Sequence, residues 1–276
     1  MLETERRNPK TTHIDKMTTV DMLNAIQEEN LVAVKAVGDA IPSIEKAVDA
    51  VAEALKNGGR LIYMGAGTSG RTGIIDATEC PPTFGVDPKT VVGIIAGGNN
   101  SVFRSSENAE DRGDAGVRDL KDIDLCSKDI VVGISAAGGA AYVIEALKYA
   151  KSIGCKTVGV TSNGDTLLDQ TPDISIVTRT GPEVITGSTR MKAGTAQKLV
   201  LNMISTGAMI KMGYVYENLM INLSATNVKL YGRMKRIVSD ILDITEDVAE
   251  QLLIKADWNI KQAIRLYREE GIYEGK

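Results

Sequence analysis

One histidine, His13, stands in a chain of 276 residues. A Ser/His/Asp triad or a histidine-bound zinc site is therefore disfavoured, and any acid–base chemistry has to come from carboxylates, Lys, Tyr or Cys. Aromatic residues make up only 4%, so the core must be built from Val, Ile, Leu, Ala and Met. The three cysteines, Cys80, Cys126 and Cys155, are an odd number at unrelated spacings. They read as reduced thiols of a cytoplasmic protein rather than a disulfide framework. A formal net charge of −4 gives no electrostatic footprint for nucleic acid or an anionic membrane. The longest apolar-looking stretch, 199–212, contains Asn202 and Lys211 and is too short to span a bilayer. The first residues, Met1 to Arg7, carry too many charges for a signal peptide.

What the chain has is glycine, 27 residues of it, and an ordinary 43% of hydrophobic residues. Its length suffices for one large core with small helical additions. The apolar spacing predicts a helix over 22–37 and a second beginning at Pro42 and ending at Asn57-Gly58-Gly59. Residues 1–20 read as polar and extended. An alternation follows, with strand-like runs at 60–64, 90–95, 130–134, 156–160 and 174–177 separated by helical or glycine-rich segments. Short apolar strands alternating with helices imply parallel pairing with both faces covered. The expected fold is a doubly wound five-stranded α/β sheet with ligands at the strand C-termini. Beyond it, 191–212 reads as one long helix and 217–240 as one or two more. Helix starts at Thr245 and Asp257 open a small tail whose core would be Leu252, Leu253, Ile260, Ala263, Ile264 and Leu266. The expected organisation is an N-terminal helical extension (1–40), an α/β sheet domain (41–215) and a C-terminal helical region (216–276).

Three loops at the expected strand ends are rich in small and hydroxyl residues. The first follows the first strand: Gly65-Ala66-Gly67-Thr68-Ser69-Gly70-Arg71. Its Gly65-x-Gly67-x-x-Gly70 matches a dinucleotide fingerprint, but no Gly-Lys-Ser/Thr follows and no acidic residue ends the second strand, where Ala96-Gly97-Gly98 stands. Free amides at a helix start, with the hydroxyls of Thr68 and Ser69, suit a phosphate. The plain alternative is a tight strand-to-helix turn with no ligand. The second loop runs from Ser135 to Ala141, with Gly138 at its centre. The third is Thr186-Gly187-Ser188-Thr189-Arg190-Met191-Lys192. Each Ser or Thr alone is explained as a helix N-cap. Three such loops on one sheet edge favour a phosphorylated polyhydroxy ligand. Among carboxylates, Glu107 and Asp111 read as solvated surface charge. Glu79 lies in Asp76-Ala77-Thr78-Glu79-Cys80-Pro81-Pro82, where the prolines are expected to stop the helix. Composition alone does not single out Glu110.

Taken as an ordered set, several of these pieces carry a resemblance. They are Thr4-Glu5-x-Arg7-Asn8, Ile14-Asp15, Gly65–Arg71, Asp76-Ala77-x-Glu79-Cys80-Pro81-Pro82-Thr83, Ile95-Ala96-Gly97-Gly98, Gly187-Ser188-x-Arg190-Met191-Lys192-Ala193-Gly194-Thr195-Ala196-Gln197-Lys198 and Asn218-Leu219-Met220. The chain resembles the N-acetylmuramic acid 6-phosphate etherases, of the sugar isomerase (SIS) fold. The resemblance implies cleavage of the ether between sugar carbon 3 and D-lactate, giving N-acetylglucosamine 6-phosphate, in amino-sugar and cell-wall recycling. It implies no metal, no cofactor, and a homodimer with the site near the subunit interface. Glu79 would be the proton donor and Glu110 the second acid/base residue. Gly67, Thr68, Ser69, Arg71, Ser135, Gly138, Ser188, Thr189, Arg190 and Lys192 would hold the substrate.

One departure stands out. Where the family typically has Ser-Gly-Arg-Thr-Pro in the second loop, this chain has Ala137-Gly138-Gly139-Ala140-Ala141. Two hydroxyls and a guanidinium are absent, and each lost hydrogen bond to a charged group costs about 1.5–3 kcal/mol. Impaired turnover is one expectation. A non-catalytic sugar-phosphate-binding regulator and an aldose–ketose isomerase of the same fold are the alternatives.

Overall fold

The computed structural model describes residues 1–223 and 228–270. Two helices open the regular structure, α1 (Thr19–Asp39) and α2 (Ile41–Lys56). The Thr18 hydroxyl caps α1 by accepting from the Asp21 N–H, and Pro42 sits in the first turn of α2, where its missing N–H costs nothing. Then come β1 (Leu61–Gly65), α3 (Gly67–Phe84), β2 (Val91–Ile95), a single turn α4 (Asn100–Phe103), α5 (Gly113–Asp122), β3 (Ile130–Ile134), α6 (Ala141–Ser152), β4 (Lys156–Thr161), α7 (Leu167–Gln170), β5 (Ile174–Val177) and α8 (Lys192–Lys211). The five strands pair in parallel in the order β2-β1-β3-β4-β5. This is the doubly wound sheet that the alternation predicts. Every residue of β1 and β3 is buried, as central parallel strands covered on both faces must be.

The order places β1 beside β3, and from these neighbours the chain departs to opposite sides of the sheet. That reversal opens a crevice at the strand C-termini. Gly65 is in register with Ile95 on one side and Ile134 on the other, so the loops leaving β1, β2 and β3 start at one level.

The chain divides into two compact units, Met1–Thr78 with Pro88–Ala208, and Glu79–Asp87 with Met209–Lys276. The first holds the sheet. The second contains a two-stranded hairpin, β6 (Val215–Tyr216) with β7 (Leu219–Met220), and three helices, α9 (Val228–Leu242), α10 (Glu246–Lys255) and α11 (Ile260–Glu270). Leu252, Leu253, Ile260, Ala263 and Ile264 form its core with Met234 and Val238, and Leu266 packs against them.

Four local expectations are corrected. Residues 1–20 are not extended: three 3-10 turns (Glu3–Glu5, Pro9–Thr11 and Ile14–Lys16) form there, because Thr4, Asn8 and Thr11 are buried and hydrogen-bonded. Pro81 and Pro82 do not stop α3, which runs to Phe84. Its last turn closes through the Gly85 N–H on the Pro81 carbonyl (2.8 Å), and Asn222 Nδ2 donates to the Phe84 carbonyl (2.6 Å). The helix expected from 217 starts instead at Val228, after the hairpin, with 224–227 outside the described residues. The final helix begins at Ile260 rather than Asp257, because Asn259 supplies the cap through its Oδ1 (2.9 Å from the Gln262 N–H).

Candidate active site

The glycines of the first loop divide their work. A Cβ on Gly65 would stand 2.7 Å from the Gly70 nitrogen, and one on Gly70 would stand 2.6 Å from the Gly65 carbonyl oxygen. These two let α3 lie directly on the end of β1. Gly67 adopts φ +53° with open space around it, so it makes the turn. The fingerprint spacing is thus explained by strand-to-helix packing, and it leaves the first amides of α3 facing the crevice.

A cavity of about 430 Å³ lies there. Gly67, Thr68, Ser69 and Arg71 line it from α3, and Ser135, Ala136, Ala137 and Ala140 from the loop after β3. Glu107, Asn108 and Glu110 come from the segment after β2, and Gly187 and Thr189 from the loop before α8. The three loops expected on one sheet edge therefore meet. At the start of α6 no side chain caps the helix, so its first amides, like those of α3, are available to an anion.

Each implied site residue has a definite place. Ser69 and Ser135 are buried in the cavity wall. Ser135 Oγ accepts from the Gly138 N–H (3.2 Å), which fixes the turn. Gly138 is not a wall residue. It turns at φ +78° against Thr166, whose Oγ1 would lie 2.3 Å from any Cβ there. Arg71 lines the cavity, but its Nε donates to the Val102 carbonyl and its Nη2 to the Ser101 carbonyl (both 2.8 Å). It holds the 101–104 segment in place. Ser188 and Arg190 flank the wall residue Thr189 and do not line the cavity. Lys192 is buried on α8, and its ammonium donates to Glu29.

Glu110 lines the cavity from a 3-10 turn, Ala109–Asp111. Glu79 is exposed near the C-terminal end of α3 and is not a wall residue. Sequence reasoning passes over two other carboxylates. Glu107 is exposed, as its charged neighbours imply, yet it lines the cavity. Glu5 reaches the same cavity from the N-terminal segment, and the one signal for it is its place in Thr4-Glu5-x-Arg7-Asn8.

Behind the third loop lies a buried polar cluster. Glu183 accepts from the N–H groups of Lys192 (3.0 Å) and Ala193 (2.9 Å) and so caps α8. Burial pushes its carboxyl above the ordinary value, against the pull of those amides and of Lys192. Burial alone would raise Glu29 as well, but the Lys192 ammonium, aided by Asn8 and Lys10, holds it below its ordinary value. The cluster fixes the direction in which 187–191 crosses to α8.

The chain matches the glucokinase regulatory protein N-terminal SIS domain over residues 43–151 and the SIS domain over residues 116–206. It is 54% identical to the N-acetylmuramic acid 6-phosphate etherase of Caldanaerobacter subterraneus subsp. tengcongensis over 95% of this chain and 86% of that one. The chain belongs to the N-acetylmuramic acid 6-phosphate etherase family. The etherase of Aeromonas hydrophila subsp. hydrophila is 51% identical over 95% of this chain and 88% of its own. Among solved structures, a phosphoheptose isomerase from Francisella tularensis superposes with a TM-score of 0.55 at 18% identity, covering 70% of this chain and 100% of its own. That likeness bears on the fold. Among the described residues no helix is long and apolar enough to cross a membrane, and no cluster of His, Cys, Asp and Glu is placed to hold a metal.

Proposed function

We propose that this chain cleaves the D-lactyl ether of N-acetylmuramate 6-phosphate, giving N-acetylglucosamine 6-phosphate and D-lactate. The observation that carries the reading is 54% identity, over nearly the whole chain, to a protein named for that etherase activity. The cavity supports it. Two helix starts and the hydroxyls of Thr68, Ser69 and Ser135 suit a phosphate, and Glu110 stands in the same wall. An ether oxygen is a poor leaving group, so direct displacement is unfavourable. Opening of the sugar ring leaves an aldehyde that acidifies the proton on carbon 2. A carboxylate removes that proton, an acid protonates the departing lactate oxygen, and water adds to the resulting double bond. Two carboxyl groups in opposite protonation states suffice.

Glu110 takes one role from the cavity wall. Glu79 takes the other, as proton donor. Glu79 is exposed on α3, and we assign it to a homodimer in which Glu79 of the partner subunit meets the cavity. Gly138, Arg71 and Lys192 shape the loops, while Ser188 and Arg190 lie beside the wall. We place the reaction in the cytoplasm, in keeping with the odd cysteine count.

Lactate release from N-acetylmuramate 6-phosphate tests the function. Wild type should release lactate, and Glu79→Ala should abolish release without loss of fold. Full activity in that variant removes Glu79 from the mechanism. A second reading, a sugar-phosphate-binding regulator, draws on the second loop, where Ala137 and Ala140 present no hydroxyl. Binding of the sugar phosphate without lactate release would decide for it.

A further inference from the structure

From the N-terminal segment we infer that Glu5 is a substrate-binding carboxylate of the cavity, accepting a hydrogen bond from a hydroxyl or the amide N–H of the amino sugar. The inference rests on the sugar-phosphate reading of that cavity and adds a residue to it.

Glu5 is carried on a short turn that is bound firmly to the sheet unit on either side of it. Before it, the Thr4 N–H donates to Asn163 Oδ1 (3.3 Å), and Asn163 Nδ2 donates back to Thr4 Oγ1 (3.0 Å). The same Asn163 amide donates to the Ala136 carbonyl (2.9 Å) in the loop after β3. After it, Asn8 Nδ2 donates to Glu29 Oε2 (2.8 Å), and Thr11 Oγ1 donates to the Val184 carbonyl (2.8 Å). Thr4, Asn8 and Thr11 are all buried. The anchored residues thus alternate with an exposed stretch, and the exposed Glu5 turns into the cavity wall.

Its carboxylate has a reserved place. Gly187 sits opposite at φ +75°, and a Cβ there would come within 3.2 Å of Glu5 Oε2. A side chain at 187 would be strained by the backbone and crowd the carboxylate. Glu3, on the same turn, is paired with Arg179 at 3.2 Å. Among the described residues no donor or cation engages Glu5, so its oxygens remain open to a ligand. A carboxylate does not seat against a phosphate or a lactyl carboxylate, since like charges repel. What it can take is the donor-bearing part of the ligand, the ring hydroxyls and the acetamido N–H.

The test is calorimetric titration with N-acetylglucosamine 6-phosphate, which requires no turnover. Glu5→Ala should weaken binding by about tenfold or more, the loss of one hydrogen bond to a charged acceptor. Glu5→Gln keeps an acceptor oxygen and should recover part of that loss. Thr4→Val, which frees the turn and leaves the carboxylate, should weaken binding in the same direction. Thermal melting of Glu5→Ala and Glu5→Gln should match wild type, whereas Thr4→Val, which leaves the buried Asn163 amide one acceptor short, should melt lower. Binding by Glu5→Ala within twofold of wild type overturns the inference while leaving the sugar-phosphate reading intact. Glu5→Gln as weak as Glu5→Ala also overturns it, since charge and not acceptance would then be at work. A wild-type protein that binds no N-acetylglucosamine 6-phosphate overturns the sugar-phosphate reading, and this inference with it.

Discussion

Lys192 and Glu29, 163 residues apart in the chain, form an ion pair whose side chains are 2% and 5% exposed. Burial of two charges is costly, and removing Lys192 leaves the buried Glu29 only the Asn8 amide and the exposed Lys10 at 3.5 Å. Lys192→Met should therefore destabilise the protein by about 3–5 kcal/mol. The double variant Lys192→Met/Glu29→Gln should recover part of this, because no buried charge of the pair is then left unpaired. Urea unfolding of the two single variants and the double variant checks both statements. Equal stability of Lys192→Met and wild type would show that the pair contributes nothing.

The same pair makes stability depend on pH. The folded Glu29 carboxyl is held below its ordinary value of 4.5. Its contribution is fully present above that value and is lost as pH falls through the lower folded one. Glu183 is shifted upward, so its contribution runs the other way: present below the ordinary value, lost as pH rises through the folded one. Wild type should lose more stability than Glu29→Gln between about pH 6 and pH 3. Parallel profiles for the two proteins, from thermal melting across that range, would contradict the assignment.

Much of this was legible in the sequence. Five short apolar runs separated by helical or glycine-rich segments implied parallel pairing, and that placed three loops on one edge. The glycines at 65, 67 and 70 marked the first loop, although two of them serve the contact of α3 with β1 rather than a ligand. Lys192 was less legible. Its neighbours in Arg190-Met191-Lys192 suggested a ligand, while its partner Glu29 lies on a helix far away in sequence and carries no local signal. Glu5 and Glu107 were hidden for the opposite reason. Each sits among charged residues that look like ordinary solvated surface, and only the tertiary path of the chain brings them to the cavity.

The second loop has room for the residues the family commonly carries. Gly138 stays as it is, since φ +78° and Thr166 permit nothing else. Gly139 has nothing within 4 Å of where a Cβ would stand, which leaves space for Gly139→Arg. Ala140 is the uncapped N-cap of α6, with Ala141 at its first position. Ala140→Thr should cap the helix and add about 1 kcal/mol of stability, and Ala141→Pro suits that first position. With Ala137→Ser, the set should also tighten phosphate binding and lower the KM for N-acetylmuramate 6-phosphate. Melting temperature and lactate release, measured on the same preparation, check the two effects. A lower melting temperature would mean that the loop cannot take the substitutions.

Subunit complementation tests the placement of Glu79. Glu79→Ala and Glu110→Ala should each be inactive as homodimers. If Glu79 of one subunit serves the cavity holding Glu110 of the other, a mixed dimer has one cavity with both defects and one with neither. Random reassortment makes half of the dimers mixed, and half of their cavities are intact. Mixing the two inactive proteins should then restore about one quarter of wild-type lactate release. A dimer whose cavities used Glu79 of their own chain would behave otherwise. Every cavity would then lack one carboxylate, and the mixture would stay as inactive as its parts.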